Sequence, residues 1–254
     1  MYKAKNCMNE SKEHFDWEGF FSRESAVKIV EKMDAREMIS TLREQLRDNR
    51  FKMVFSLSKV MRNLLRDVDL KKNLKILELG AATGLLTRWL IGQYGGTGVM
   101  VDNCEASYKA FIDIQDSSKK YIRYLVEDIF TLKLDERFDV VCSFGLIEHF
   151  ADKRDVLAVH KEYVTPGGII LIFVPLDTLL SRVFLEVHPE LNLGYRELLT
   201  DTELYEVLMK NAMEVMRVEM SSGYCYDFVG AVCRLNATEN HLKRERWNRA
   251  KEKE

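Results

Sequence analysis

The sequence predicts an α/β fold. It is a doubly wound, seven-stranded, mostly parallel sheet with an antiparallel edge strand and an N-terminal helical cap. Three observations predict it. From Leu74 onward, short apolar runs alternate with segments of helical period, the pattern of strands joined by crossover helices. Several of the runs are apolar nearly throughout, as strands covered on both faces must be. A small-residue turn, Gly80-Ala-Ala-Thr-Gly84, stands between the first run and the first helix, where open sheets of this kind bind ligands. The reading divides the 254 residues into a cap over 1–73, an α/β domain over 74–236 and a charged tail over 237–254.

In chain order, the first segment holds a single glycine, Gly19, and no proline. Asp34 with Glu37 makes an N-cap pattern that starts a helix near Ala35. Phe51, Val54, Phe55, Met61, Leu64, Leu65 and Val68 then fall on one helical face. Strands follow at Lys75–Leu79, Gly98–Val101, Ile122–Glu127, Asp139–Phe144 and Ile169–Val174, with helices at Leu85–Ile91, Glu105–Gln115 and Lys153–Tyr163. Thr200 and Glu203 form a capping box opening a helix to about Met213. Glu214–Met220 and Tyr226–Arg234 read as two further strands around Ser221-Ser222-Gly223, an antiparallel addition at one sheet edge. The tail from His241 to Glu254 mixes both charge signs around Trp247 and reads as a solvated helix or disorder rather than a nucleic-acid patch.

Composition removes several classes. A formal net charge of −2 gives no overall pull toward nucleic acid or an acidic membrane. The longest apolar run, Ile169–Leu176, is far short of the roughly 18 residues a membrane span needs. The N-terminus has no apolar core of the signal-peptide kind, so a cytoplasmic protein is expected. The five cysteines form no CxxC pair, so neither a disulfide framework nor a metal site is expected. Cys104 and Cys142 read as packing residues.

The glycine turn carries the chemistry. Gly80 and Gly84 let backbone approach a ligand closely. A dinucleotide loop needs G-x-G-x-x-G, whereas here Ala82 stands in the middle. Glu78 lies just before the turn; a carboxylate there repels a phosphate and attracts a cationic ligand. Asp102 closes the second strand, where a carboxylate can accept ribose hydroxyls. No Walker A Gly-Lys-Ser/Thr and no Tyr with Lys four residues on are present. From the residues alone, Glu78 could instead cap a backbone amide, Asp102 could be a turn residue and Asp128 a helix N-cap.

Over roughly residues 74–174 these motifs resemble the class I S-adenosylmethionine-dependent methyltransferases, whose fold is Rossmann-like. Glu78-Leu-Gly-Ala-Ala-Thr-Gly84 is similar to their first motif, E/D-x-G-x-G-x-G, with Ala82 for the middle glycine. The resemblance implies S-adenosyl-L-methionine as cofactor, with Gly80, Ala81 and Gly84 along its methionine part and Asp102 and neighbouring Asn103 at the ribose. It implies Asp128 at the adenine amino group, Ile129 against the ring and Phe144 on the cofactor side of the fourth strand's loop. Thr165-Pro-Gly-Gly168 resembles the turn before the fifth strand.

Methyl transfer needs a positioned nucleophile and, for a hydroxyl or ammonium, a base. Of the five histidines, His149 follows the fourth strand at the cleft mouth and reads as base, cleft-wall contact or structure. His188, with Glu186 beside it, lies in the segment after the fifth strand and is the second candidate. His160 falls inside a helix and reads as structural. The aromatic group Phe15, Trp17, Phe20 and Phe21 reads equally as a lid or as a hydrophobic anchor. The expected acceptor is a small molecule. A non-catalytic adaptor and an RNA-modifying enzyme are the alternatives; a homodimer is compatible with the sequence.

Overall fold

The computed structural model describes residues 49–114, 117–189, 194–221 and 226–251. The helix expected near Ala35, the aromatic group at 15–21 and the turn at 222–223 lie outside them.

Seven strands form one sheet in the order β3-β2-β1-β4-β5-β7-β6. The strands are β1 (Leu74–Leu79), β2 (Gly96–Asp102), β3 (Ile122–Val126), β4 (Phe138–Phe144), β5 (Val164–Pro175), β6 (Met213–Ser221) and β7 (Phe228–Leu235). The pairs β1–β2, β2–β3, β1–β4 and β4–β5 are parallel. β7 is antiparallel to both β5 and β6, so it alone runs backwards, inserted one place in from the edge. From β1 the chain winds outward to β2 and β3, then returns to lay β4 on β1's other side. The β1–β4 boundary is therefore the switch point, where a crevice opens beyond the strands' carboxyl ends.

Strand periodicity builds two cores. Along β4 and β5, Val141, Ile170, Ile172 and Val174 face one cluster, while Val140, Cys142, Ile169, Leu171 and Phe173 face the other. This follows from the two-residue repeat of a strand, with each side covered by helices. Helix α2 (Leu85–Tyr94) puts Leu86 and Leu90 on the second face. Helix α4 (Arg154–Tyr163) puts Val156 and Leu157 on the first, joined by Leu204 and Leu208 of α6 (Asp201–Lys210). Each of these side chains, fully buried, contributes about 1.5–3 kcal/mol of transfer free energy before entropy is charged against it. Helix α3 (Glu105–Asp113) packs Phe111 against Met100 and Ala81.

Helix α1 (Asn49–Leu64) joins the second core through Leu57, Val60, Met61 and Leu64. The expected face is partly corrected: Met61, Leu64 and Leu65 are buried, but Phe55 is 60% exposed. Arg217 on β6 donates to the Asn63 carbonyl at 2.5 Å, fixing the end of α1 to the sheet edge. The charged tail forms α7 (Ala237–Lys251), and Lys243 donates to the Glu162 carbonyl at the end of α4 at 2.8 Å.

Two further differences matter. β5 starts at Val164 rather than Ile169: Phe138 pairs with Val164 and Val140 with Ile169, so Thr165-Pro-Gly-Gly168 bulges out between the two pairs, with Gly167 at a φ of +83°. A helix the periodicity missed, α5 (Leu179–Val187), follows β5. Its burial is inverted: Ser181 is buried while Leu179 is 79% exposed, so its apolar residues do not mark the core. The Thr200–Glu203 capping box is present as expected.

Candidate functional site

The loop after β1 has the geometry its glycines require. Gly80 and Gly84 take φ of +59° and +71°, the left-handed region open to glycine at little cost. Space reinforces the requirement: a Cβ on Gly84 would lie 2.2 Å from the Met100 sulfur, and one on Gly80 would lie 2.8 Å from Leu146 Cδ1. The second contact shows that the loops after β1 and β4 meet across the switch point. Ala82 also takes a positive φ, +46°, a strained setting for a residue with a Cβ. Its strain is held by two contacts. Asp102 Oδ2 accepts from the Ala82 amide at 2.8 Å, and the Tyr124 hydroxyl donates to the Ala82 carbonyl at 3.0 Å.

Glu78 is buried and faces the start of α2. Its Oε1 accepts from the Leu86 amide at 3.3 Å and its Oε2 from the Thr87 amide at 2.8 Å. It thus satisfies two of the orphan donors of a helix N-terminus. Burial pushes its carboxyl up to about 7, against the pull of those donors. The amide-capping alternative describes what this structure shows of Glu78.

Asp102 is also buried, and its Oδ1 accepts from the Cys104 amide at 2.9 Å. A carboxylate has about four lone-pair positions, so an oxygen that accepts one amide can also accept a hydroxyl. Asn103 beside it is exposed, and Ala81 is buried against the α3 cluster. Asp128 is exposed; its Oδ1 accepts from the Phe130 amide at 2.8 Å, a local turn. Ile129 packs on the first core. Phe144 is half-buried between Phe173 and Phe228, with ring centroids 5.8 and 5.5 Å away.

The β4 loop holds the histidine candidate in a short 3-10 turn, Ile147–His149. His149 is 8% exposed, and its Nδ1 lies 2.8 Å from the Tyr195 carbonyl. A carbonyl can only accept, so that bond assigns the ring proton to Nδ1. Burial, helped by the Arg196 charge, lowers its pKa to about 3, so the ring is neutral at physiological pH. His149 Nε2 lies 3.7 Å from Glu148 Oε1. Glu148 is 1% exposed, and its Oε2 has no hydrogen-bond partner among the described residues. Burial pushes that carboxyl up to about 7. Residues 194–200 strap this turn down: the Glu197 amide donates to the Glu148 carbonyl at 3.0 Å, and Lys153 pairs with the Glu197 carboxylate.

His188 ends α5 elsewhere on this side, its ring centroid 4.8 Å from Phe184, which neighbours Tyr226. His160 is structural as expected: its nitrogens meet the Val156 carbonyl at 2.7 Å and the Ser143 hydroxyl at 3.0 Å, and burial lowers its pKa to about 4. Sequence reasoning passed over Glu148. The signal was there, in the acid directly before the chosen histidine, but its burial was not. Among the described residues no group of His, Cys, Asp and Glu is arranged to hold a metal.

A doubly wound sheet with a glycine turn and an acid at its switch point defines a nucleotide-type cofactor binder. Comparison with known proteins narrows it. Residues 42–217 match a family described as a methyltransferase domain. The chain belongs to this family, of the class I S-adenosylmethionine-dependent kind. It is 27% identical over 124 residues to the mitochondrial ubiquinone biosynthesis O-methyltransferase of Dictyostelium discoideum, covering 44% of this chain and 38% of that protein. It is 25% identical over 159 residues to the ubiquinone biosynthesis O-methyltransferase of Rickettsia prowazekii, covering 59% of this chain and 62% of that one. The matched stretches thus span less than two thirds of those relatives. In fold, it is similar to magnesium protoporphyrin IX methyltransferase of Synechocystis PCC 6803, solved with S-adenosylhomocysteine (TM-score 0.54, 14% identity, 82% of this chain and 90% of that one). The residues present fit the family's cofactor. Gly80 and Gly84 hold a left-handed turn at the carboxyl end of β1, and the buried Asp102 carboxylate stands at the end of neighbouring β2 with its Oδ2 on that turn.

Proposed function

We infer that this protein transfers a methyl group from S-adenosylmethionine to an oxygen, nitrogen or carbon nucleophile of a small-molecule acceptor. The observation that carries this reading is the pairing of the Gly80–Gly84 turn with Asp102 across the carboxyl ends of β1 and β2. Gly80, Ala81 and Gly84 border the methionine part. Asp102, with Asn103 beside it, takes the ribose; Asp128 and Ile129 take the adenine; Phe144 walls the cleft. When bound, the cofactor supplies a methyl group already activated by a sulfonium. The chain has only to place the nucleophile in line, exclude water and accept a proton where one must leave.

His149 and His188 stand on the acceptor side in this reading. His149, neutral with Nδ1–H on the Tyr195 carbonyl, is the base candidate of the two. His188, its ring tilted 45° against Phe184 at a centroid distance of 4.8 Å, is the second catalytic candidate. The ubiquinone-pathway relatives motivate testing phenolic acceptors first.

Isothermal titration with S-adenosylhomocysteine tests the cofactor half. Binding in the micromolar range, weakened at least tenfold by Asp102→Ala, is expected; absence of binding heat at millimolar ligand overturns the reading. Mass spectrometry of catechols, phenols and primary amines incubated with protein and S-adenosylmethionine tests the acceptor class. We also read the protein as cytoplasmic and able to form a homodimer, on composition alone; light scattering checks the second. Among the described residues no helix is long and apolar enough to cross a membrane.

A further inference from the structure

Ala82 is the residue of the cofactor turn whose side chain opposes the turn's shape. Gly80 and Gly84 take a positive φ at little cost, whereas Ala82 holds a φ of +46° with a Cβ in place. Asn73 and Ala212 also have a positive φ, but they lead into the amino ends of β1 and β6, on the side of the sheet opposite the cleft. The φ and ψ of a residue are the torsions between its two flanking peptide planes. At Ala82 both planes are held. The plane before it donates its N–H to Asp102 Oδ2 at 2.8 Å. The plane after it accepts the Tyr124 hydroxyl on its carbonyl at 3.0 Å. Asp102 has a part in the reading above; Tyr124 has none.

We propose that Tyr124 is a positioning residue for the cofactor: its hydroxyl locks Ala82 in the left-handed region and so keeps the turn and the Asp102 carboxylate aligned for the ligand. The proposal rests on the methyltransferase reading. Tyr124 stands on β3, and its ring lies against Tyr108 and Phe111 of α3, each centroid 5.2 Å away. α3 begins just after Cys104, whose amide donates to Asp102 Oδ1 at 2.9 Å. The contacts therefore close a ring. Ala82 is tied to Asp102, Asp102 to the start of α3, α3 to Tyr124, and Tyr124 back to Ala82. Burial and the Asp102 charge push the Tyr124 phenol far above its usual range, so the hydroxyl keeps the proton it donates.

The hold is needed because of the Ala82 Cβ. A glycine at this position would carry no Cβ penalty at a left-handed φ and would need no external bond to stay there. With alanine, loss of the Tyr124 bond frees the plane after Ala82 to rotate toward the ordinary negative φ of an L-residue. The Ala82 amide then turns off Asp102 Oδ2, and the carboxylate loses one of the two backbone bonds that orient it. The Tyr124 hydroxyl and the Ala82 Cβ are thus a matched pair: the first offsets the conformational cost of the second.

Four full-length proteins test the pairing: wild type, Tyr124→Phe, Ala82→Gly and the double variant. Tyr124→Phe keeps the ring against Tyr108 and Phe111 and removes only the hydroxyl. Isothermal titration with S-adenosylhomocysteine should show affinity reduced about five- to tenfold, as the loss of one hydrogen bond implies. In the Ala82→Gly background the same change should cost less than about twofold, a coupling that a double-mutant cycle isolates. Urea unfolding of the ligand-free proteins should follow the same pattern, with a larger drop in midpoint when alanine is present. A Tyr124 that serves only by packing would lose nothing in Tyr124→Phe or lose equally in both backgrounds, and either result overturns the proposal. If Tyr124→Phe alone does not fold, Ala82→Gly must restore folding; a double variant that stays unfolded overturns it too. If the wild type binds and Tyr124→Phe binds as tightly, only the hold on Ala82 falls. If the wild type does not bind, the methyltransferase reading itself falls, and the urea cycle alone then decides whether Tyr124 holds Ala82.

Discussion

The two loops that meet across the switch point treat their buried acids in opposite ways. After β1, Glu78 and Asp102 are engaged by backbone: four amides, those of Leu86, Thr87, Ala82 and Cys104, donate to four carboxylate oxygens. After β4, Glu148 keeps one oxygen without a hydrogen-bond partner and sits beside a neutral histidine. The first arrangement holds a fixed shape, because the Ala81, Ala82 and Gly84 amides of the turn are all bonded within the protein. The second leaves a buried carboxyl whose protonation burial favours. A cofactor of constant structure is served by the former.

The comparison can be broken at the rigid side first. Gly84→Val places a branched side chain against the Met100 sulfur at a left-handed φ. It should cost about 3 kcal/mol or more in urea unfolding and abolish S-adenosylhomocysteine binding. A variant that unfolds and binds like wild type would show that the turn is not the rigid element.

The β4 side should respond with the opposite sign. The folded state holds the Glu148 proton up to about pH 7, and the unfolded chain only to about 4.5. The wild type therefore loses stability as pH rises through that window. Glu148→Gln escapes the loss, so it should be the more stable protein at pH 8, by up to about 3 kcal/mol. At pH 5 the advantage should nearly vanish. Paired urea titrations at the two pH values measure it, and an advantage equal at both would refute the ionisation.

His160 gives a smaller test of acid sensitivity. Its folded pKa is lowered to about 4, so the folded state binds fewer protons than the unfolded chain below the usual 6.5. Its contribution is whole above about pH 6.5 and is lost as pH falls toward 4. His160→Gln should flatten the stability profile over that range by about 1–2 kcal/mol relative to wild type, read by thermal unfolding. The smallest effect is expected at Ala82. Ala82→Gly relieves the φ of +46° and should be neutral or stabilising by about 0.5–1 kcal/mol, with cofactor affinity retained.

Much of the fold was legible because its signals are local. The strand runs at 75–79, 122–127 and 139–144 match their observed spans within a residue, since two-sided burial writes itself into composition. The capping box at Thr200 was legible for the same reason: the motif and its partner lie within one helical turn. α5 was not. Its apolar residues point outward while Ser181 is held inside near Asp227, a residue far along the chain. β5 began early because Val164 pairs with Phe138 ahead of the Pro-Gly-Gly bulge, a partner no local pattern announces.

At the site, sequence alone determined the residue types and their order. It set glycines where a helix must start close to a strand, acids at two strand ends, and a histidine after the fourth strand. Local spacing and turn chemistry suffice for that. Only the tertiary structure decided what those groups do. Glu78 faces α2's amides, Asp102 grips the turn, and Tyr195 and Glu197 come back over the β4 loop to bury Glu148 beside His149. Which group carries a proton depends on desolvation by residues dozens of positions away. No local pattern encodes that burial, and so the buried acid became visible only once the chain had folded around it.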